Sequence, residues 1–222
     1  MTTQTRDLFL IQDLEDSEKT GGLSARERSA LRQVGDWIES FITQPHAHLG
    51  RSGPICPFVP GALDRNTLWL AAETIGDRGP SDLVDLMNDY RRRLLQAEPI
   101  EGEGVDGRVI VVVFVDLPAD RAADVFGGIL DEVAAASYVD EGIVFGPFYE
   151  GNDGTAIYNS EFRPFQSPVP FVFVRHGVVS DWKFFLDDDD WFGRWAERYG
   201  AAGAAALREP LRRLPWREHP SH

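Results

Sequence analysis

The sequence has one cysteine, no apolar run of membrane-spanning length, and too few basic residues to balance its acids. Each shortage excludes something. One cysteine cannot make an internal disulfide and matches the usage expected in a reducing cytoplasm. Without about 20 consecutive apolar residues, no transmembrane helix is expected. The opening MTTQTRDLFLIQDLEDSE lacks both a basic leading region and a small-residue cleavage site, so no signal peptide is read. With 36 acidic against 22 basic residues the formal charge is −14. That balance argues against nucleic acid or an anionic membrane as partner, because either needs a concentrated basic patch. The visible basic cluster, Arg91-Arg92-Arg93, falls at the end of an expected helix, where cations complement the helix dipole. Phosphate-cradling glycine loops, zinc-protease motifs, serine elbows and kinase signatures are also missing.

What is present suits one domain, with 43% hydrophobic residues over 222 positions. Residues 1–23 read as an arm, 24–213 as a single α+β domain, and 214–222 as a tail. Ser24 with Glu27 forms a capping-box pattern. Leu31, Val34, Ile38 and Phe41 then recur at helical spacing, which predicts a helix over 24–43 ended by Pro45. TLWLA at 67–71 is a short strand candidate. Leu83, Leu86, Met87, Tyr90 and Leu94 make the stripe of a helix over 81–95, followed by the polar connection EPIEGEGVDG. RVIVVVFVDLP at 108–118 reads as a central strand covered on both faces. A helix follows over 119–137. Strands are expected at 143–149 and 168–179, with 155–162 returning antiparallel after the Gly151-Asn152-Asp153-Gly154 turn. This order predicts a ferredoxin-like, split βαβ layer with a mixed or antiparallel sheet and helices mainly on one face. Trp191, Phe192, Trp195 and Tyr199 predict a final aromatic helix. The Asp187–Asp190 run reads as a solvated turn or helix start, because consecutive carboxylates diverge and no calcium-loop spacing is present.

Chemistry concentrates in PHAHLGRSGPICPFV, residues 45–59, a loop too rich in proline and glycine for a regular element. His46, His48 and Cys56 offer two nitrogens and a sulfur to a metal, without a recognisable fourth ligand. A histidine or the Cys56 thiolate is alternatively an axial ligand for haem iron. Cys56 is also a candidate nucleophile, activated by Arg51 or an imidazolium, or else a small side chain at the edge of the core. Arg51 is a substrate contact or a fastener of its own loop. A second group lies at strand ends: Tyr149, Glu150, Asn152, Arg163, Arg175, His176 and Asp181. Either arginine suits a bidentate grip on a carboxylate, and Glu150 or His176 suits proton transfer. The competing reading pairs the arginines with Glu150, Glu161 or Asp181 in structural ion pairs.

With its HLGR-x-G-x-x-CPF loop, VFGPFYEGND, FRPFQSPVPFVFVRHGVVSDWKFFL and terminal aromatic helix, the chain resembles an uncharacterised bacterial family. That family is frequent in actinobacteria and often encoded near specialised-metabolite genes. Over residues 24–200 the resemblance implies site residues at His48, Arg51, Cys56, Glu150, Asn152, Arg163, Arg175, His176 and Asp181. The order of loop, strand, helix and strands also looks like the YqcI/YcgG-type haem-dependent N-oxygenases. That resemblance implies His48 as first axial candidate, Cys56 or His176 as second, and Arg163 or Arg175 as anchor of a substrate carboxylate. The resulting expectation is a cytoplasmic small-molecule enzyme of specialised metabolism, in its sharpest form oxidising an amino-acid-like substrate with haem. Its rivals are a non-catalytic protein binding a small ligand or partner, and a cofactor-independent thiol enzyme using Cys56. A homodimer is carried as an option.

Overall fold

The computed structural model describes residues 7–99 and 104–212. The expected tail, the first six residues of the arm and part of the polar connection lie outside them. Phe9 joins the edge of the sheet: its N–H donates to the Leu70 carbonyl at 2.9 Å and its carbonyl accepts from Leu70 at 2.8 Å. The capping box forms as read, with Ser24 Oγ accepting from the Glu27 N–H and Glu27 Oε2 accepting from the Ser24 N–H at 2.8 Å. It opens helix α1 (Ala25–Trp37), which a π turn continues over Ile38–Ile42. Ala30, Leu31, Val34 and Ile38 form its buried stripe.

The proline-rich loop holds more regular structure than expected. A 3-10 turn spans Ala47–Leu49 and a short helix, α2, spans Val59–Asp64. Pro60 sits in the first turn of α2, where its missing N–H leaves no helical bond unmade. Then come strand β1 (Leu68–Glu73), helix α3 (Pro80–Gln96), strand β2 (Val109–Phe114), helix α4 (Ala119–Glu141), and strands β3 (Ile143–Phe148) and β4 (Phe171–His176). A 3-10 segment at Val179–Phe184 leads to α5 (Asp189–Arg212), which is broken at Gly200. The aspartate run does what a helix start requires: Asp188 Oδ1 accepts from the Trp191 N–H at 3.0 Å.

The four strands order as β1-β2-β4-β3. β1 and β2 are parallel, and β4 runs antiparallel to both β2 and β3. The β2-α4-β3 crossover therefore skips one position, which β4 fills, and this is the expected split βαβ in a mixed α+β sheet. Residues 155–162 do not return as a strand. They fold as turns with a single bridge between Ala156 and Asn159, and the segment closes on itself: the Ala156 N–H donates to the Phe162 carbonyl at 2.9 Å and Asn159 Oδ1 accepts from the Glu161 N–H. Among the described residues no helix is long and apolar enough to cross a membrane.

Side-chain alternation divides the core. Ile110, Val112 and Phe114 of β2 face α3 and α4, packing with Leu86, Met87, Phe126 and Ile129. Leu70, Ala72, Val111 and Val113 face Leu31 and Val34 of α1. The expectation of helices mainly on one face describes α3 and α4, while α1 covers the β1–β2 half of the other. The β3–β4 half of that second face has a different roof.

Candidate functional site

Where α1 does not reach, the sheet floors a cleft of about 280 Å³. Val109, Val111, Phe171, Phe173 and Phe148 come from the sheet, and Ile55, Cys56 and Phe58 from the proline-rich loop. Register explains the floor. Val109 faces Arg175 and Val111 faces Phe173 across β2–β4, while Gly146 and Phe148 of β3 lie opposite Phe173 and Phe171. The rings brace one another: Phe148 stacks on Phe171 at 4.8 Å, and Phe165 and Trp37 meet Phe148 edge-on at 5.3 and 5.8 Å. Phe173 lies flat across Gly146, whose missing Cβ would stand 2.2 Å from the ring. A ring held down this way leaves the space above it open.

The loop is fastened over this floor by backbone bonds. The Ile55 N–H donates to the Gln44 carbonyl at 3.0 Å and the Cys56 N–H to the Ile42 carbonyl at 3.1 Å. Arg51 donates to the carbonyls of Ser52 and Ile55, both at 2.9 Å, so it does fasten its own loop. Gly50 adopts a left-handed φ of 78° and lies against the Tyr158 backbone. One residue away, Asn159 Nδ2 donates to the His48 carbonyl at 2.8 Å. Arg51 and half-buried Cys56 both line the cleft.

The histidines take other places. His46 stacks on Phe162 at 4.4 Å, and its Nδ1 accepts from the His48 N–H at 3.2 Å. His48 is exposed, and neither ring lines the cleft. Among the described residues no three His, Cys, Asp or Glu side chains gather for a metal, so the zinc expectation is corrected: Cys56 lines the cleft and the two imidazoles do not. Neither imidazole is placed to be the axial ligand of a haem held in the cleft, because neither ring faces it.

The strand-end group also divides. Arg175 and Asp181 line the cleft and pair bidentately, Nη1 to Oδ2 and Nη2 to Oδ1 at 2.9 Å each. Asp181 Oδ2 also accepts from the Val178 N–H at 2.8 Å. The guanidinium expected to grip a substrate is therefore largely taken up by a buried carboxylate. Tyr149 packs toward Phe126 on the opposite face of the sheet, and Glu150 is exposed. Asn152 is buried in its own turn, donating to the Pro147 carbonyl and accepting from the Gly154 N–H. Arg163 bonds the Ser160 carbonyl. None of these four lines the cleft.

His176 also lies off the cleft, with Nε2 2.7 Å from Nη2 of Arg108. Since a guanidinium only donates, Nε2 accepts and the imidazole is neutral. Burial first, and then the Arg108 charge, hold His176 below its ordinary range, with Asp106 opposing and Arg198 adding a smaller push. A lowered native value means the unfolded chain binds more protons, so this stability is present above about pH 6.5 and is lost as pH falls. His176→Gln keeps an acceptor for Arg108 and removes the titration. Its urea midpoint is expected to fall less than wild type's between neutral pH and the lower end of that window. Equal slopes would contradict the assignment.

Sequence reasoning passed over Lys183, at the rim, and the Phe148–Phe173 floor. The alternation in FVFVR places Phe171, Phe173 and Arg175 on one side, and is the signal that could have found the floor. Nothing local to Lys183 marks it as a site residue. Its Nζ lies 3.1 Å from the Tyr158 hydroxyl and 5.7 Å from that ring's centroid.

A family model described as a domain of unknown function (DUF6875) matches residues 31–210. No curated protein and no solved structure matches the chain.

Proposed function

We propose that this chain, which belongs to the DUF6875 family, binds a small, mainly apolar molecule in the cleft between the β3–β4 half of its sheet and the proline-rich loop. One observation carries the reading: a cavity of about 280 Å³ is floored by braced aromatic rings and roofed by a loop tied down through backbone bonds. That volume falls just below the roughly 300–1,000 Å³ range of small-molecule sites, which suits a small ligand. The lining combines one thiol, Cys56, with arginine, lysine and carboxylate side chains but no imidazole. No imidazole lines the cleft to serve Cys56 as a base, which favours binding over thiol turnover.

Titration with the neutral fluorescent dye N-phenylnaphthylamine tests this. Saturable binding at one site is expected. Gly146→Val should weaken it at least roughly tenfold, about 1.4 kcal/mol, because the added carbons force Phe173 up into the cavity. Circular dichroism checks that the variant keeps its fold. Absence of saturable binding, or unchanged affinity in folded Gly146→Val, would overturn the reading.

A further inference from the structure

We infer, resting on that binding reading, that the ligand is an amphipathic anion, with its apolar body over Phe171 and Phe173 and a carboxylate at the rim held by Arg51 and Lys183. The charge pattern around the cleft carries the argument. Asp181 pairs with Arg175, and Asp106 lies in the field of Arg108, whose guanidinium is turned inward to Val105 and His176. Among the described residues, Arg51 and Lys183 have no carboxylate partner, in a chain whose formal charge is −14. Acidic side chains abound elsewhere, so two cations left uncompensated beside one cavity mark where an outside anion is favoured.

Donor capacity agrees. A guanidinium carries five N–H donors and an ammonium three. Arg51 uses two, on Ser52 and Ile55, and Lys183 uses one, on the Tyr158 hydroxyl, with the Tyr158 and Trp182 rings nearby. Both cations are carried by segments that meet Tyr158. Gly50, next to Arg51, packs so close that a Cβ there would stand 2.6 Å from the Tyr158 carbonyl oxygen, while Lys183 reaches the other end of that side chain.

Apolar surface accompanies the charge. Phe58, Ile157, Tyr158 and Phe184 are 44%, 40%, 50% and 53% exposed, and all four line this cleft. Large apolar side chains open to water around a cavity mouth favour a molecule that covers them. A neutral apolar ligand would leave the cations without a counter-charge, and a small polar anion would leave the rings wet. An aryl or alkyl carboxylic acid satisfies both.

The test displaces bound N-phenylnaphthylamine with para-butylbenzoate and with para-butylbenzyl alcohol, which share the apolar body and differ in charge. The acid anion is expected to displace the dye at a concentration at least roughly tenfold lower, about 1.4 kcal/mol. Lys183→Met should shrink that gap and Lys183→Arg should keep it. Arg51→Gln should shrink it too, although that residue also fastens the loop, so Lys183→Met decides. Equal displacement by the two compounds, or an unchanged gap in Lys183→Met, would overturn this inference while leaving the binding cleft intact. Failure of the dye to bind at all would overturn both.

Discussion

Asp181→Ala is expected to lower the unfolding free energy by about 3–5 kcal/mol, the usual cost of removing one partner from a buried ion pair. The Asp181 side chain is 3% exposed and that of Arg175 20%, so solvent screens the pair poorly. Alanine would strand the guanidinium beside an apolar cleft and also remove the acceptor for the Val178 N–H. Asp181→Asn keeps an acceptor for Val178 and loses the charge, and is expected to fall between alanine and wild type. Urea unfolding measures both. Against a typical total of about 5–15 kcal/mol, the alanine variant would be marginal. A loss under about 1 kcal/mol, the scale of a surface pair, would contradict the reading of Arg175 and Asp181 as a buried structural pair.

Gly50→Ala is expected to cost at least about 1–2 kcal/mol for the left-handed backbone alone. Contact with Tyr158 adds to this, because the new methyl meets a backbone carbonyl that cannot swing aside. The consequence is local. Gly50 is where the roof loop seats on the turn at Tyr158 and Asn159, so the variant lifts the loop and uncovers Cys56. Thermal unfolding should show the stability loss, and Cys56 alkylation by N-ethylmaleimide should run faster than in wild type. A variant with wild-type melting and wild-type alkylation would mean that the loop does not depend on this seat.

The scaffold is readable in the sequence wherever its determinants are local. Ser24 and Glu27 announce α1, the β-branched run at 109–114 announces β2, and the i, i+3, i+4 stripe through Leu83, Met87 and Tyr90 announces α3. Residues 155–162 mislead because a run following a tight turn suits a returning strand, yet the segment spends its backbone bonds on itself, through Ala156, Asn159 and Phe162. The site is partly visible. Arg51, Cys56, Arg175 and Asp181 stand out by residue type, and they share one cleft. The histidines stand out equally and do not join them, since what orients His46 is Phe162, far along the chain. The cleft itself exists because α1 packs on β1 and β2 and leaves the rest of that face to loops. Such a crossing is set by the whole assembly, so no local pattern encodes it. Lys183 acquires meaning only once Tyr158 is beside it.

Protection of the sole cysteine tests the central claim most directly. Cys56 lines the proposed binding chamber, so a bound molecule must shield it. The rate of N-ethylmaleimide addition, followed by intact mass, is expected to fall at least roughly tenfold when para-butylbenzoate saturates the site, a shift of about 1.4 kcal/mol in access to the thiol. An alkylation rate that stays the same while the acid displaces the dye would place the ligand elsewhere and contradict the account.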